Sequence, residues 1–478
     1  MVTKSKKAIN GIIWSGIDRF SSMGIQFATS VILARLLSPG DFGLIALTVT
    51  FTVIFQTINE YGFNAALMNK LDRDDLDYSS VFILNIILGF FLYLILFLCS
   101  PLISVFFEQP LLSILLRIIG LNLIINSFMV VQQTIFIIEL NFKTQAKVSL
   151  ISVIISGTIG IICAYKGLGV WSLVIQNLIN NILNSILLWM LSKWKPKKLQ
   201  FSIIRIKKLF LFAYKLILAQ LIDVIFQQVY SIVIGKFYNV IQLGYFNRAN
   251  SLVQLSSGNI TKIIQRVSVP LLCEVKNDYS QLRRMLLKFI VNAAFIIYPI
   301  LFGMFVLASP LIIVLLTDKW LPSVWILQIL CPVGLLYVIN TFNLNVFNAT
   351  GRTDWALKVE IIKKIIFIIL IIIAISINLK TLIISQIVIA VIELIINTHY
   401  TKKQIGLNIY QQIYALKGVI LSSSVMAIGV YFSSNLFDNN LDKLIIGFIS
   451  GLIIYSVLVY LFDVNNIKNV TLKYLQRK

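Results

Sequence analysis

Long apolar stretches alternate with short polar connections along the whole chain. Fourteen of these stretches have about 20 residues or more, enough for each to cross ~30 Å of hydrocarbon as a helix. Transmembrane β-strands would instead show alternating segments of about ten residues. The pattern therefore predicts an all-α polytopic membrane protein with about 14 transmembrane helices. Their predicted bounds are 11–37, 43–68, 80–107, 111–138, 146–165, 170–192, 210–237, 244–272, 286–316, 324–349, 359–378, 381–400, 416–434 and 443–462.

The composition agrees with a membrane protein. Hydrophobic residues make up 58% of the chain, charged residues only 13%, and the mean hydropathy is +0.90. Soluble domains carry about twice this share of charge, near 25%. The N-terminus is basic and then apolar, but its apolar run continues to Leu37 without a small-residue cleavage site. We therefore expect an uncleaved first span rather than a signal peptide.

Lysine and arginine are distributed unevenly between the two sets of connections. With the N-terminus assigned to the cytoplasm, the inner connections and termini hold 29 of the 41 basic residues, and the outer connections hold six. Basic connections are retained preferentially on the cytoplasmic side. The bias predicts that both termini are cytoplasmic. It also attributes the net charge of +22 to loops facing anionic membrane lipids rather than to nucleic-acid binding.

The one long polar connection follows the sixth predicted span. It holds seven basic residues, and we expect an amphipathic linker on the membrane surface. A weak internal repeat at an offset of 201 residues supports a division at this point, because Gly43 aligns with Gly244 and Gln26 with Gln227. Six spans separate the two copies, so both enter from the same side, as in a parallel repeat.

The repeat and the linker together predict four parts of the chain. Two six-helix lobes form a parallel repeat, and two further helices follow them. The predicted bounds are 1–192 for the N-terminal lobe, 193–209 for the basic cytoplasmic linker, 210–400 for the C-terminal lobe, and 401–478 for the two extra helices with a basic tail.

Polar side chains recur every three to four residues on several of the predicted helices. This spacing places them on one face of an otherwise apolar helix. A single amide in a membrane helix usually bonds to a neighbouring helix. Whole stripes on several helices instead indicate a water-filled cavity, because so many amides cannot all find partners in a dry interface. The residues predicted to line it are Ser22, Gln26, Asn181, Gln220, Gln227, Asn250 and Gln254.

Charged residues inside the predicted spans give a sharper signal, because a charge facing lipid costs about 3 kcal/mol or more. Structural ion pairing is one interpretation: Arg19 and Glu60 lie at similar depth, as do Asp223 and Lys262. The cations nevertheless exceed what the acids on the same spans can neutralise. A surplus of cations facing a cavity fits an anionic cargo, phosphate above all. The predicted substrate-binding cations are Arg19, Arg248, Lys262 and Arg266.

The intramembrane acids have a second candidate role. A carboxylate in a polar cavity can hold a coupling ion, or it can form an ion pair with a neighbouring cation. The candidates for either role are Asp18, Glu60 and Asp223.

Several features of catalytic and metal sites do not occur in the sequence. It has no GxxxxGK[ST] phosphate-binding loop and a single histidine, His399, which excludes a His-based metal site or catalytic triad. No predicted outer loop exceeds about a dozen residues, so there is no room for an outer catalytic domain. We therefore expect a transporter rather than an enzyme, with no metal and no cofactor.

Four segments carry a family likeness: 32–47 (ILARLLSPGDFGLIAL), 60–67 (EYGFNAAL), 80–85 (SVFILN) and 243–249 (LGYFNRA). They resemble bacterial polysaccharide flippases of the Wzx type, in the multidrug/oligosaccharidyl-lipid/polysaccharide exporter superfamily. The first predicted hairpin carries the clearest likeness, and the paired lobes extend it over the whole chain.

This resemblance implies a substrate and a location. It implies that the chain moves oligosaccharides on polyprenyl diphosphate from the inner to the outer leaflet of the bacterial cytoplasmic (inner) membrane. The implied partners are polyprenyl-diphosphate-linked oligosaccharide, membrane lipids and the polysaccharide polymerase and chain-length machinery. Glycan hydroxyls cost several kcal/mol each in hydrocarbon, so flipping requires a polar groove open to one side at a time.

Three other functions remain open at this point. A drug/cation antiporter of the same superfamily would need a net acidic cavity and usually has twelve spans. A peptidoglycan-precursor flippase would share the fold and differ in its glycan. A non-transport assembly or synthesis protein would need a large outer loop or a soluble domain, which the sequence lacks.

Overall fold

The computed structural model describes residues 2–70, 72–196 and 200–462, and helices dominate these residues. Each of the fourteen predicted apolar segments lies on helical backbone. The segment 244–272 contains a π-helical turn, and the segment 286–316 is divided at Leu307. The helices are α1 (Val2–Leu36), α2 (Pro39–Asn69), α3 (Asp75–Phe106), α4 (Pro110–Ile138), α5 (Phe142–Tyr165), α6 (Val170–Leu191), α7 (Ile203–Phe237), α8 (Val240–Val253), α9 (Asn259–Glu274), α10 (Tyr279–Val306), α11 (Ala308–Leu316), α12 (Val324–Ala349), α13 (Thr353–Ile375), α14 (Leu379–Ile405), α15 (Ile409–Asn435) and α16 (Asn440–Leu461).

Eleven helical segments within the described residues are long and apolar enough to cross a membrane. The predicted all-α, multi-pass class is therefore confirmed. α1, the α8–α9 pair and α13 do not reach this criterion, and α1 contributes only the shorter apolar stretch Phe20–Leu36.

The chain forms two compact units, residues 1–244 and 245–478. In the first unit α1 packs on α5, α3 on α4, α5 on α6, and α2 on both α4 and α7. In the second unit α10 packs on α12 and α15, α12 on α14, α13 on α14, and α15 on α16. The predicted division at the linker 193–209 stays a prediction.

Reciprocal hydrogen bonds between Ser38 and Asp41 fix the turn between α1 and α2. Ser38 Oγ accepts a hydrogen bond of 3.2 Å from the Asp41 amide, and Asp41 Oδ2 accepts one of 2.9 Å from the Ser38 amide. This reciprocal pair is a capping box, and Pro39 occupies the first helical position, where no amide hydrogen is needed.

Two glycines allow the α1–α2 turn to touch the α7–α8 turn closely. A Cβ atom on Gly43 would lie 1.8 Å from the carbonyl oxygen of Val240, and one on Gly244 would lie 1.9 Å from that of Pro39. Both pairs are related by the repeat offset of 201, since 43 aligns with 244 and 39 with 240. The two contacts are therefore exchanged copies of each other, as in an isologous interface.

Alanine at Gly43 or Gly244 should separate these turns. A methyl group cannot share space with a carbonyl oxygen, so each variant should lose about 1–3 kcal/mol of unfolding free energy. Thermal unfolding of the purified protein in detergent measures this loss. Gly303→Ala is the control, because a Cβ there meets no atom within 4 Å. Equal melting temperatures for all three variants would contradict the close contact.

The connection between α6 and α7 is fastened to the start of α3. The Trp194 ring lies 5.7 Å from Tyr78 and 6.1 Å from Phe82, centroid to centroid. The amide of Ser202 donates a 3.0 Å hydrogen bond to Ser80 Oγ. Residues 197–199 of the predicted linker lie outside the described residues. Both described ends of the connection are thus packed on the first unit.

A buried carboxylate holds the start of α7 in the same place. Asp77 is 1% exposed and lies 2.5 Å from Lys70 Nζ and 3.1 Å from Arg205 Nη1. Arg205 also reaches Asp74 at 2.8 Å, the N-cap residue of α3. The hydrogen bond to Asp77 raises the pKa of Arg205 above its ordinary value, so its charge is fixed. The Asp77 carboxylate and its charged neighbours therefore join the end of α2, the start of α3 and the start of α7.

Asp77→Asn should weaken this junction, because it removes a buried charge from between two cations. Lys70 and Arg205 are about one-third exposed, so we expect a loss of about 2 kcal/mol rather than the full cost of breaking a buried pair. The melting temperature in detergent reports the loss. Asp75→Asn, an exposed acid two positions earlier, should change it little. A similar shift in both variants would argue against a special role for Asp77.

Candidate functional site

The predicted site residues of α1 and α2 fall partly outside the described structure. The side chains of Asp18, Arg19 and Glu60 lie outside the described residues, so their orientations stay predictions. Ser22 is buried, and its hydroxyl lies 3.2 Å from that of Ser149 on α5. Gln26, one turn further along α1, is exposed. The stripe on α1 therefore includes a helix–helix contact at Ser22 and an accessible amide at Gln26.

The polar stripe of α7 is accessible in the first unit. Gln220 and Asp223 are half-buried, and Gln227 is exposed. The next residue, Gln228, accepts a 3.1 Å hydrogen bond from Thr50 Oγ1 of α2. Gln228 lies one residue outside the stripe, and its role as a helix–helix contact could not be read from spacing alone.

A cluster of three amides joins α4 to α6. Asn122 Nδ2 donates to Asn177 Oδ1 at 2.7 Å, and Asn181 Nδ2 donates to Asn122 Oδ1 at 3.0 Å. Asn122 is 6% exposed and uses both ends of its amide, whereas Asn177 is exposed and Asn181 half-buried. Nδ2 of Asn177 and Oδ1 of Asn181 thus remain at the accessible edge of the cluster. Asn181 can act as a polar lining residue while it is held by protein.

The α8–α9 helix of the second unit contains the densest set of predicted site residues. Between α8 and α9, residues Gln254–Gly258 form a π-helical turn. Such a turn inserts one residue into a helix and recurs at functional sites. α12 approaches this turn at Gly334, where a Cβ would lie 2.9 Å from Val253 and 3.3 Å from Ser257. Helical spacing does not predict this turn, and its small residues are the one local signal.

The π-helical turn separates two environments along the helix. Arg248 is 6% exposed and Asn250 is half-buried, on the α8 side. Gln254, Lys262 and Arg266 are exposed, and Lys262 and Arg266 stand four residues apart on α9. Residues four positions apart in sequence are neighbours on the same face of a helix. The accessible face of α9 is therefore cationic, while Arg248 belongs to the interior of the unit.

The amides of α12 behave differently from those of α6. Asn343 and Gln412 of α15 exchange two hydrogen bonds, at 2.9 and 3.0 Å, and Asn343 is fully buried. Asn340 accepts from Asn397 of α14 at 3.2 Å. Asn345 Oδ1 accepts from Gln265 of α9 at 3.2 Å. These α12 amides therefore form bonds across interfaces with three other helices.

A second charged group lies between α13 and α14. Lys363 is 6% exposed and lies 2.5 Å from Glu360 on the same helix. Glu393 of α14 interacts electrostatically with both residues and with Lys364. The interior cation therefore has carboxylates on two helices, as expected for a charge held inside apolar helices.

The described residues offer groups that can bind a polar cargo. Within residues 2–70, 72–196 and 200–462, no three His, Cys, Asp or Glu side chains are grouped closely enough to hold a metal ion. Exposed amides on α6 and α7 can bind hydroxyl groups, and the cations of α9 can bind phosphate. The structure thus provides polar and cationic faces on apolar helices in each unit.

Comparisons with known proteins agree with this arrangement. A family model described as "Polysaccharide biosynthesis protein" matches residues 32–325. The teichuronic acid biosynthesis protein TuaB of Bacillus subtilis is 26% identical over 358 residues, 74% of each chain. The succinoglycan biosynthesis transport protein ExoT of Rhizobium meliloti is 24% identical, over 71% of this chain and 68% of the relative. The lipopolysaccharide biosynthesis protein WzxC of Escherichia coli is 23% identical, over 76% and 74%.

Solved structures show the same fold at lower identity. The lipid II flippase MurJ, in an inward closed conformation, superposes with a TM-score of 0.75 at 18% identity, covering 95% of this chain and all of that one. An inward-facing multidrug resistance MATE family transporter of the MOP superfamily has a TM-score of 0.62 at 15% identity, over 81% and 94%. The family match covers more than half of the sequence, and this multi-pass membrane chain belongs to the polysaccharide biosynthesis protein family.

Proposed function

We propose that this chain is a flippase for lipid-linked oligosaccharides. It moves glycan repeat units on polyprenyl diphosphate from the cytoplasmic to the outer leaflet for surface polysaccharide biosynthesis. The names of three relatives refer to teichuronic acid, succinoglycan and lipopolysaccharide, and one of them names succinoglycan transport. All three molecules are surface or secreted glycans. Their common feature is a glycan that must leave the cytoplasm, and this supports the proposal.

The cationic face of α9 is the observation that carries the proposal. Lys262 and Arg266 are exposed on α9, and the only acid of that helix is Glu274 at its C-terminal end. An exposed guanidinium and ammonium on an apolar protein match a diphosphate better than a cationic drug. The accessible amides Gln26, Gln227 and Gln254 provide donors and acceptors for sugar hydroxyls.

The proposed transport cycle uses fourteen spans in two six-helix lobes with two extra helices. The lobes open a polar cavity to one side of the membrane at a time, while the lipid tail stays in the bilayer. Both termini face the cytoplasm of a bacterial inner membrane. A polymerase and the chain-length machinery use the flipped product. Arg19 completes the cationic set, and Asn181, Asn250, Ser22 and Gln220 complete the polar lining.

The driving force for transport must account for the negative charge of the diphosphate. Moving one elementary charge across a membrane is worth about 2.3 kcal/mol per 100 mV, so a diphosphate requires compensation. Asp18, Glu60 and Asp223 are proposed to hold a coupling ion or to pair with the binding cations. The half-buried position of Asp223 on α7 is compatible with either role.

Three single substitutions test the cationic site. Arg19→Ala and Arg266→Ala should each reduce surface polysaccharide about tenfold or more, because each removes a charge-assisted contact of about 1.5–3 kcal/mol. Arg248→Ala should reduce it as well, because it removes the buried guanidinium of α8. Immunoblots of surface glycan, normalised to the amount of protein in the membrane, measure the effect. Arg266→Lys should retain much of the activity, since it keeps the charge.

Lys276→Ala is the matched control, because Lys276 is an exposed cation in the turn after α9. Normal glycan in all three arginine variants would refute the cationic site. A deletion strain that is drug-sensitive with normal glycan would favour an antiporter. A deletion that is lethal without selective loss of surface glycan would favour a peptidoglycan-precursor flippase.

A further inference from the structure

A surface groove in the first unit is separate from the predicted site residues. Its volume is about 480 Å³, within the range of about 300–1,000 Å³ for small-molecule sites. It lies where α4 and α6 meet the connection that follows α6. The residues that line it are Phe128, Ser185, Ile186, Trp189, Met190 and Lys195.

The floor of the groove is held rigidly. Trp189 Nε1 donates a 2.9 Å hydrogen bond to the carbonyl oxygen of Phe128. The Trp189 ring also packs against Phe82 at 5.5 Å, centroid to centroid. The ring therefore cannot swing away, and the groove exists without a ligand. Its rim is apolar and open, because Ile186 is 50% and Met190 is 71% exposed.

Two side-chain ridges on α6 meet in this groove. Asn177, Asn181, Ser185 and Trp189 follow one another at intervals of four residues, so they form one ridge along the helix. Each interval advances about 6 Å along the axis. A parallel ridge of exposed apolar residues runs beside it and consists of Ile182, Ile186 and Met190. α6 thus presents a polar track beside an apolar track, and both end at the groove.

A basic residue stands at the end of these tracks. Lys195 lines the groove and is exposed, and it makes no ion pair with any residue that the structure describes. In the proposed orientation, α6 ends at the cytoplasmic face, so Lys195 lies at the depth of phospholipid headgroups. Basic pockets at this level attract anionic lipid phosphates.

We propose that the α4–α6 groove docks the polyprenyl diphosphate carrier before its glycan enters the transport cavity. This proposal rests on the proposed function. The diphosphate lies at Lys195, and the first isoprene units lie on Ile186 and Met190. The sugar hydroxyls extend along Ser185 towards the amides of Asn181 and Asn177.

The polar track distinguishes this carrier from an ordinary phospholipid. A phospholipid headgroup stays at the surface and would have no group to place against the Asn181 and Asn177 amides, which lie about 12–18 Å from Trp189 along the helix. A glycan on a diphosphate has many hydroxyls in that position. Lys195 therefore matches the diphosphate of this carrier, the apolar rim matches its isoprene chain, and the amide ridge matches its sugar.

Photo-cross-linking of the full chain in nanodiscs tests the docking site. The probe is an oligosaccharide on polyprenyl diphosphate with a diazirine in its first isoprene units, and mass spectrometry maps the labelled peptides over the whole sequence. We expect label on α6 at Ile186 or Met190. The same glycolipid without the diazirine should compete with the probe, whereas phosphatidylglycerol and polyprenol without phosphate should not.

Two variants with matched controls sharpen the test. Met190→Trp should fill the rim, and Lys195→Glu should repel the diphosphate; each should lower α6 labelling about tenfold, as expected for loss of one anchoring contact. Leu191→Trp and Lys193→Glu place the same changes at exposed residues that do not line the groove, and they should label like the wild type.

The outcomes separate the groove from the proposed function. Competition by phosphatidylglycerol, or equal labelling in all four variants, would overturn the docking site and leave only ordinary lipid contact. Labelling on other helices but not on α6 would also overturn the groove and keep the flippase proposal. No labelling anywhere in the chain would count against both.

Discussion

A polar group inside an apolar helix is stabilised by bonds to protein or to water, because an unsatisfied group in hydrocarbon costs several kcal/mol. Two arrangements in the structure illustrate this constraint. Asn343 and Gln412 bond to each other in a dry interface. Lys262 and Arg266 instead keep an exposed face on α9. The first solution ties helices together, and the second provides a surface for a polar cargo, so structure and proposed transport follow from the same requirement.

The local features of the chain could be predicted from sequence. Apolar runs set the helices, because length and composition alone decide whether a segment can cross hydrocarbon. The Ser38 cap could be predicted because its partner, Asp41, lies three residues away. The repeat offset also anticipated a relation between Gly43 and Gly244. Their exchanged contacts with Val240 and Pro39 give that relation a physical basis, since both glycines allow carbonyl oxygens to approach.

Features that depend on neighbouring helices could not be predicted. Asparagines recur at helical spacing on both α12 and α6. The α12 amides bond to partners on α9, α14 and α15, whereas Asn177 of α6 remains accessible. The π-helical turn before α9 lies against Gly334 of α12, a neighbour that helical spacing does not reveal. The groove beside Trp189 needs α4, α6 and the following connection together. In each example the sequence specifies the side chains and tertiary packing specifies their environment.

The central claim is that the chain moves lipid-linked glycans across a bilayer. Its most direct measurement is reconstitution of the purified protein into liposomes with a fluorescent polyprenyl-diphosphate oligosaccharide, with chemical quenching of the outer leaflet over time. If the chain is a flippase, the wild type should exchange the fluorescent glycolipid rapidly between leaflets. A Lys262→Ala/Arg266→Ala double variant of equal melting temperature should exchange it much more slowly. Exchange by folded wild-type protein no faster than in protein-free liposomes, under an imposed ion gradient and membrane potential, would contradict it.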